Sequence, residues 1–152
     1  MKLKIKVNTD KLVRAFEKAP DKTREKLRQA VKTTARDIKA RASAEHRYTS
    51  RSGTLEREGT AYRADGLRAE IYLDEEAVKY ARYIHEGKRP HMVEPRNKNV
   101  LRRVKGEDFE FGKRFFVRGT RPDPFLYNAA EKEAPAFERR LAAALDEVLE
   151  GL

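Results

Sequence analysis

The sequence predicts an α+β fold. An antiparallel sheet of about four strands is packed by a long N-terminal helix and a C-terminal helix, and a basic loop or hairpin projects from the body. Three observations carry this. Apolar residues alternate with polar ones around Asp65-Gly66, recur at helical spacing from Leu27 to Ala42, and do so again after Asp123-Pro124. At 152 residues the chain is read as one domain, 1–152, long enough to bury a core.

Each element follows from local chemistry. In Lys2 to Val7, KLKIKV, Leu3, Ile5 and Val7 share one face of a half-buried strand. Asn8-Thr9-Asp10 offers side-chain oxygens to cap a helix starting near Lys11, which Pro20 interrupts. The next helix is expected from about Asp21 to Glu45, roughly 37 Å at about 1.5 Å per residue. Its stripe of Leu27, Ala30, Val31, Thr34, Ala35, Ile38 and Ala42 is narrow and small, suited to close packing on a sheet.

Residues 46–59, HRYTSRSGTLEREG, lack periodicity and read as a loop. Thr60 to Arg63 and Leu67 to Leu73 form a hairpin around the Asp65-Gly66 turn signal. Asp74-Glu75-Glu76 opens a short helix with Ala77, Tyr80, Ala81 and Ile84 on one face, and Gly87 ends it. Val100 to Val104 and Phe115 to Arg118 are expected as paired strands, joined by a polar connection. Asp123 as N-cap and Pro124 at the first helical position start the last helix. Pro135 is expected to kink or restart it, and Phe137, Leu141, Ala144, Leu145 and Val148 continue the stripe.

Charge is distributed unevenly. The net charge of +10 resolves into a basic 1–58, an acidic 59–78, a basic 79–121 and an acidic 122–152. A bipolar chain suits basic surfaces meeting acidic ones between subunits as well as it suits nucleic acid. Cysteine is absent, which excludes disulfides, thiolate metal sites and cysteine nucleophiles. No run approaches the ~20 apolar residues of a membrane span, and the N-terminus has no signal-peptide character, so a soluble protein without membrane contact is expected.

The stretch YARYIHEGKRPH, Tyr80 to His91, holds two of the three histidines. The spacing of His85, Glu86 and His91 matches no metal motif, and Ser43, Ser50 and Ser52 lack a nucleophile elbow. No glycine loop cradles phosphate. No catalytic residue, cofactor, metal or small-molecule substrate is therefore assigned. Tyr80, Ala81, Ile84, Gly87, Pro124 and Phe125 are read as a hinge and core. Arg89, Arg96, Arg102, Arg103, Arg114, Phe116 and Arg118 are read as a partner interface. The rival reading is a basic nucleic-acid-binding module, with Phe109, Phe111, Phe115 and Phe116 stacking on bases among the cations. The positive balance alone predicts weak, sequence-independent contact with DNA.

Taken in order, four elements resemble a known family. They are Ser52-Gly53-Thr54-Leu55 after a long helix, Tyr80-Ala81-x-Tyr83-x-x-x-Gly87, Pro95-x-Asn97-x-x-x-Leu101, and Val117-x-Gly119-Thr120-x-Pro122-x-Pro124-Phe125-Leu126. This set is similar to the tail-completion or neck proteins of long-tailed bacteriophages and prophages, also described as minor tail or head–tail joining proteins. The likeness runs from about residue 10 to 150. The chain departs from it at His46-Arg47-Tyr48, at Glu56-Arg57-Glu58 and at Arg118. The resemblance implies a non-enzymatic virion component, made in the host cytoplasm, forming a ring with other copies and contacting neck and tail proteins.

Overall fold

A computed structural model describes residues 21–96 and 99–149 of the protein. The expected strand Lys2–Val7, the Asn8–Asp10 cap, the helix leading to Pro20 and the side chain of Val148 lie outside the described residues. The order is α1 (Asp21–Ala44), α2 (Thr54–Glu58), β1 (Thr60–Asp65), β2 (Arg68–Leu73), α3 (Ala81–His85), β3 (His91–Val93), β4 (Leu101–Lys105), β5 (Asp108–Gly112), β6 (Phe115–Val117) and α4 (Phe125–Leu149). The α+β class, the two long helices and the antiparallel pairing stand as read.

Helix α1 follows its sequence. Good helix formers fill it, Asp21 sits at the positive end of the dipole and Arg41 at the negative end. Leu27, Ala30, Thr34, Ala35, Ile38 and Ala42 are buried, and Val31 is half-buried. The small stripe lets α1 approach α4 along much of its length as well as the β1–β2 pair. The core joins Ala35, Ile38 and Ala42 of α1 to Leu55, Ile71, Leu73, Val78, Ala81, Phe125, Leu126 and Ala129. Each large apolar side chain buried there contributes about 1.5–3 kcal/mol.

Charged groups clasp the helical seam. Arg41 donates to Glu133 Oε1 through Nε at 2.9 Å and Nη2 at 2.7 Å. Arg140 donates to Thr34 Oγ1 at 2.8 Å and Asp37 Oδ2 at 2.6 Å. Glu45 bridges Arg41 and Lys132, and the bond from Lys132 holds its carboxyl below the usual range. Glu133 is buried, and these guanidinium groups supply the partners its carboxyl oxygens need there.

The strands differ from the single sheet expected. They form three two-stranded ribbons, β1–β2, β3–β6 and β4–β5. Two-residue loops, Gly66-Leu67 and Gly106-Glu107, close β1–β2 and β4–β5 onto their sequence neighbours, with positive φ at the first loop position in each. β4 therefore pairs with β5 inside what reads as a polar connection, and β6 pairs with β3 instead. In β1–β2, Thr60 opposes Leu73 and Tyr62 opposes Ile71, so the alternation faces the core as expected.

Two local readings are corrected. Residues 46–59 are not all loop, since α2 forms over Thr54–Glu58 and buries Leu55. Asp74 caps a turn, accepting from Glu76 and Ala77 N–H at 3.2 and 3.0 Å, but the helix starts only at Ala81. Ala77 and Tyr80 are consequently exposed, and Val78 enters the core in their place. Helix α4 runs through Pro135 as one element. Glu131, whose carbonyl loses its donor there, is exposed, so water can satisfy that group.

Candidate functional site

Residues 88–121 leave the body between α3 and α4 as an antiparallel arm. Its base is a tight crossing. Lys88 and Thr120 exchange backbone hydrogen bonds, N to O at 2.9 Å and 2.8 Å. Gly87 has φ 76°, and a Cβ there would lie 2.8 Å from Thr120 O and from Pro122. Gly119 has φ 85°, and a Cβ there would lie 2.2 Å from Lys88 O. Only glycine fits such positions without strain. Asp123 N–H, which donates to Ile84 O at 3.0 Å, anchors the return of the chain.

Beyond the crossing, β3–β6 forms a stalk and β4–β5 a tip. The stalk pairs Met92 with Phe116, both more than half exposed, at 53% and 56%. Continuing that register places Arg114 opposite Glu94, which it meets at 2.8 Å, and Arg118 on the same face. At the tip, Val104 opposes Phe109 and Arg102 opposes Phe111, so these four share one face. Val104, Phe109 and Phe111 are exposed, and Arg102 lies 4.6 Å from the Phe109 ring centroid. On the other face Arg103 donates to Glu110 and stacks over Phe115 at 4.6 Å, tying tip to stalk. Neither ribbon packs extensively on the helical body.

The arm's charge resides in the stalk. Residues 101–112 carry three cations, Arg102, Arg103 and Lys105, and three anions, Glu107, Asp108 and Glu110. The flanks, 88–100 and 113–121, carry eight cations against Glu94 alone. Phenylalanine and positive charge are thus less interleaved than the linear sequence implies.

Next to the arm's base is a second region. A half-open cleft of about 260 Å³ is lined by residues 48–56, Tyr80 and Ile84. Tyr48 Oη and Glu56 Oε1 there are buried without a hydrogen-bond partner, and His46 Nε2 stands 3.5 Å from Glu56 Oε1. Hydrogen bonding from Ser50 keeps the Glu56 carboxyl below its usual range. Burial pushes the Tyr48 phenol well above its usual range. His46 stacks on Tyr48, whose ring meets Phe125 edge-on. The groups present can order a loop and accept hydrogen bonds.

Among the hinge and core residues, Ala81 and Phe125 are buried, Ile84 packs on the core, Pro124 is half-buried and Gly87 takes its left-handed conformation. Tyr80 is 46% exposed, contrary to its reading as a core anchor, because it precedes the helix proper. Of the interface residues, Arg114, Phe116 and Arg118 converge on the stalk face, and Arg102 lies on the apolar face of the tip. Arg103 is engaged within the arm. Arg89 and Arg96 are exposed on the flanks. His85 is 2% exposed and packs edge-on against Phe125 and Tyr127. Met92, Val104 and the strand placing Phe109 and Phe111 were missed. The signal was the alternation Asp108-Phe-Glu-Phe behind Gly106.

Among the described residues no group of three His, Asp or Glu side chains is placed to hold a metal ion, and no helix is long and apolar enough to cross a membrane. Comparison of the chain with protein-family models, curated proteins and solved structures finds no match in any of the three.

Proposed function

We propose that the chain is a non-enzymatic structural protein of a tailed-phage virion, acting at the head–tail junction in tail completion and head–tail joining. The arm of residues 88–121 makes the contacts. One observation carries this reading. The arm exposes Met92, Val104, Phe109, Phe111 and Phe116 on ribbons that take little support from the body. An isolated two-stranded ribbon is marginal in water, and an apolar face of this kind gains stability when a partner covers it. The ordered motifs Ser52–Leu55, Tyr80–Gly87 and Val117–Leu126, with their resemblance to neck proteins, support a place at the head–tail junction.

The nucleic-acid reading draws on the eight-to-one excess of cations in the flanks. It fits the tip poorly, where the charges balance and one face holds three apolar side chains to a single arginine. Weak, sequence-independent attraction to DNA by the stalk is the expected consequence.

The deciding experiment replaces Val104, Phe109 and Phe111 with serine in one variant and Arg114 and Arg118 with glutamine in another. In-vitro head–tail joining and DNA affinity across salt concentrations are then measured for both. The tip variant should lose joining and keep its DNA binding. The stalk variant should flatten the salt dependence by about 0.9 in slope per lost phosphate contact. A tip variant that joins normally, beside a stalk variant that loses tight DNA binding, would transfer the function to nucleic acid.

A further inference from the structure

We infer that the stalk of one subunit docks on the outer face of α4 in a second copy of this chain. This deepens the assembly reading above and rests on it. The stalk face presents Met92 and Phe116 side by side, with exposed Arg114 and Arg118 flanking Phe116 on the same face. Arg118 has no ion-pair partner among the described residues, and Arg114 meets only the exposed Glu94.

The outer face of α4 is its complement. Tyr127, Glu131, Pro135, Glu138 and Ala142 recur at steps of three and four along the helix, and all are exposed. Glu131 and Glu138 have no ion-pair partner among the described residues, unlike Glu133, which α1 neutralises. Pro135 lies between the two carboxylates and Ala142 one turn past Glu138, and both are small enough for a large apolar side chain to approach the helix there. One face therefore offers bulk and positive charge, and the other offers space and negative charge. Each keeps charge unmatched within a single subunit, Arg118 on the stalk and Glu131 and Glu138 on α4.

The two patches are different surfaces of the same chain. A contact between them is head to tail, and repetition of such a contact closes a ring when the rotation permits. Opposite rim charges set its register and speed its formation. DNA would satisfy the stalk arginines equally well but leaves the acidic α4 face unmatched, which is why a second copy is the better occupant.

The absence of cysteine makes the contact directly testable. One full-length copy carries Met92→Cys, another with a different tag carries Ala134→Cys beside the exposed α4 stripe, and the two are mixed under mild oxidation without DNA. The expected product is the mixed disulfide, in excess over either homodimer. In parallel, light scattering follows self-association of three charge-reversal variants: Arg114→Glu/Arg118→Glu, Glu131→Arg/Glu138→Arg, and the chain carrying all four changes. Each pair alone should weaken association by about tenfold or more, and the fourfold variant should recover it. The inference is overturned if the mixed disulfide fails to form, if the fourfold variant stays as weak as its parents, or if association requires added DNA. In those cases the tip-serine joining assay still decides the broader virion function, because it alters neither patch.

Discussion

Asp123 Oδ2 accepts the backbone N–H of Tyr48 at 2.9 Å and that of Arg47 at 2.6 Å. The residue that reads as the N-cap of α4 thus spends its carboxylate on a segment some 75 positions earlier, strapping the loop after α1 to the place where the arm re-enters the body. Asp123→Ala leaves two amide donors without their acceptor, at a cost of about 1–3 kcal/mol. Asp123→Asn keeps one acceptor oxygen and should cost less. Chemical denaturation of both variants measures the difference, and equal losses would show that the strap contributes little.

The arm's base depends on backbone geometry more than on side chains. At Gly119 an alanine meets Lys88 O and must also hold a positive φ. Gly119→Ala should cost about 1–3 kcal/mol or open the crossing. Limited proteolysis reads the second outcome as faster cleavage within 88–121, with α1 and α4 intact. Gly66→Ala serves as control for the clash alone, because it shares the positive φ while a Cβ there meets nothing within 4 Å.

The seam between the long helices rests on one buried carboxylate. Glu133→Gln leaves Arg41 and Arg140 facing a neutral amide, and a loss of about 1–3 kcal/mol is expected. Arg41 also keeps Glu45, which limits the damage. Thermal unfolding at low and high salt checks it, and a variant as stable as the parent would remove the clasp from the account.

His85 makes stability depend on pH. Burial against Phe125 and Tyr127 lowers its pKa below the ordinary 6.5, while Glu86 and Asp123 pull the other way. The folded state favours the neutral ring, so the unfolded chain takes up the proton first. Stability is full above pH 6.5 and falls as pH drops from there towards the folded pKa. His85→Phe, which keeps the aromatic packing, should flatten that decline in denaturation measured between pH 7.5 and 5. An unchanged slope would exclude His85 as its source.

Some of this architecture is legible in the sequence because the informative periodicity is local. Leu27 to Ala42 and Phe125 to Ala144 repeat at helical spacing, and Ile71 and Leu73 alternate beside a glycine turn, so each element declares its buried face. Partner choice among strands is not local. Nothing in Phe115-Phe116-Val117 says that it pairs with His91–Val93, because the closure depends on Gly87 packing against Thr120 and Pro122 and Gly119 against Lys88 at the arm's base. Tyr80 misleads for a related reason, since a turn over the preceding residues rotates it out of a helical stripe that otherwise fits. The arginines of the site were visible, but their division into a charged stalk and a neutral tip needed the pairing register.

The tip should be the most dynamic part of the described fold in the free protein. Val104 is 70% exposed and Phe111 63%, so their contacts contribute little to folding, and β4–β5 holds only its own ladder with Arg103 as a tether. Local opening there costs a small fraction of global unfolding. Amide exchange should be fast across residues 101–112, and slow at Ile38 in α1 and Ile71 in β2, both in the core cluster. Phe111→Ser should change global stability by less than about 0.5 kcal/mol, as exposed substitutions usually do. Phe125→Ala in the core should cost about 3–5 kcal/mol. Upon incorporation into particles, exchange at 101–112 should slow, because a covering partner supplies the burial the ribbon lacks. Strong protection of the tip in a verified monomer would mean that it is already packed, and the docking role assigned to its apolar face would fall.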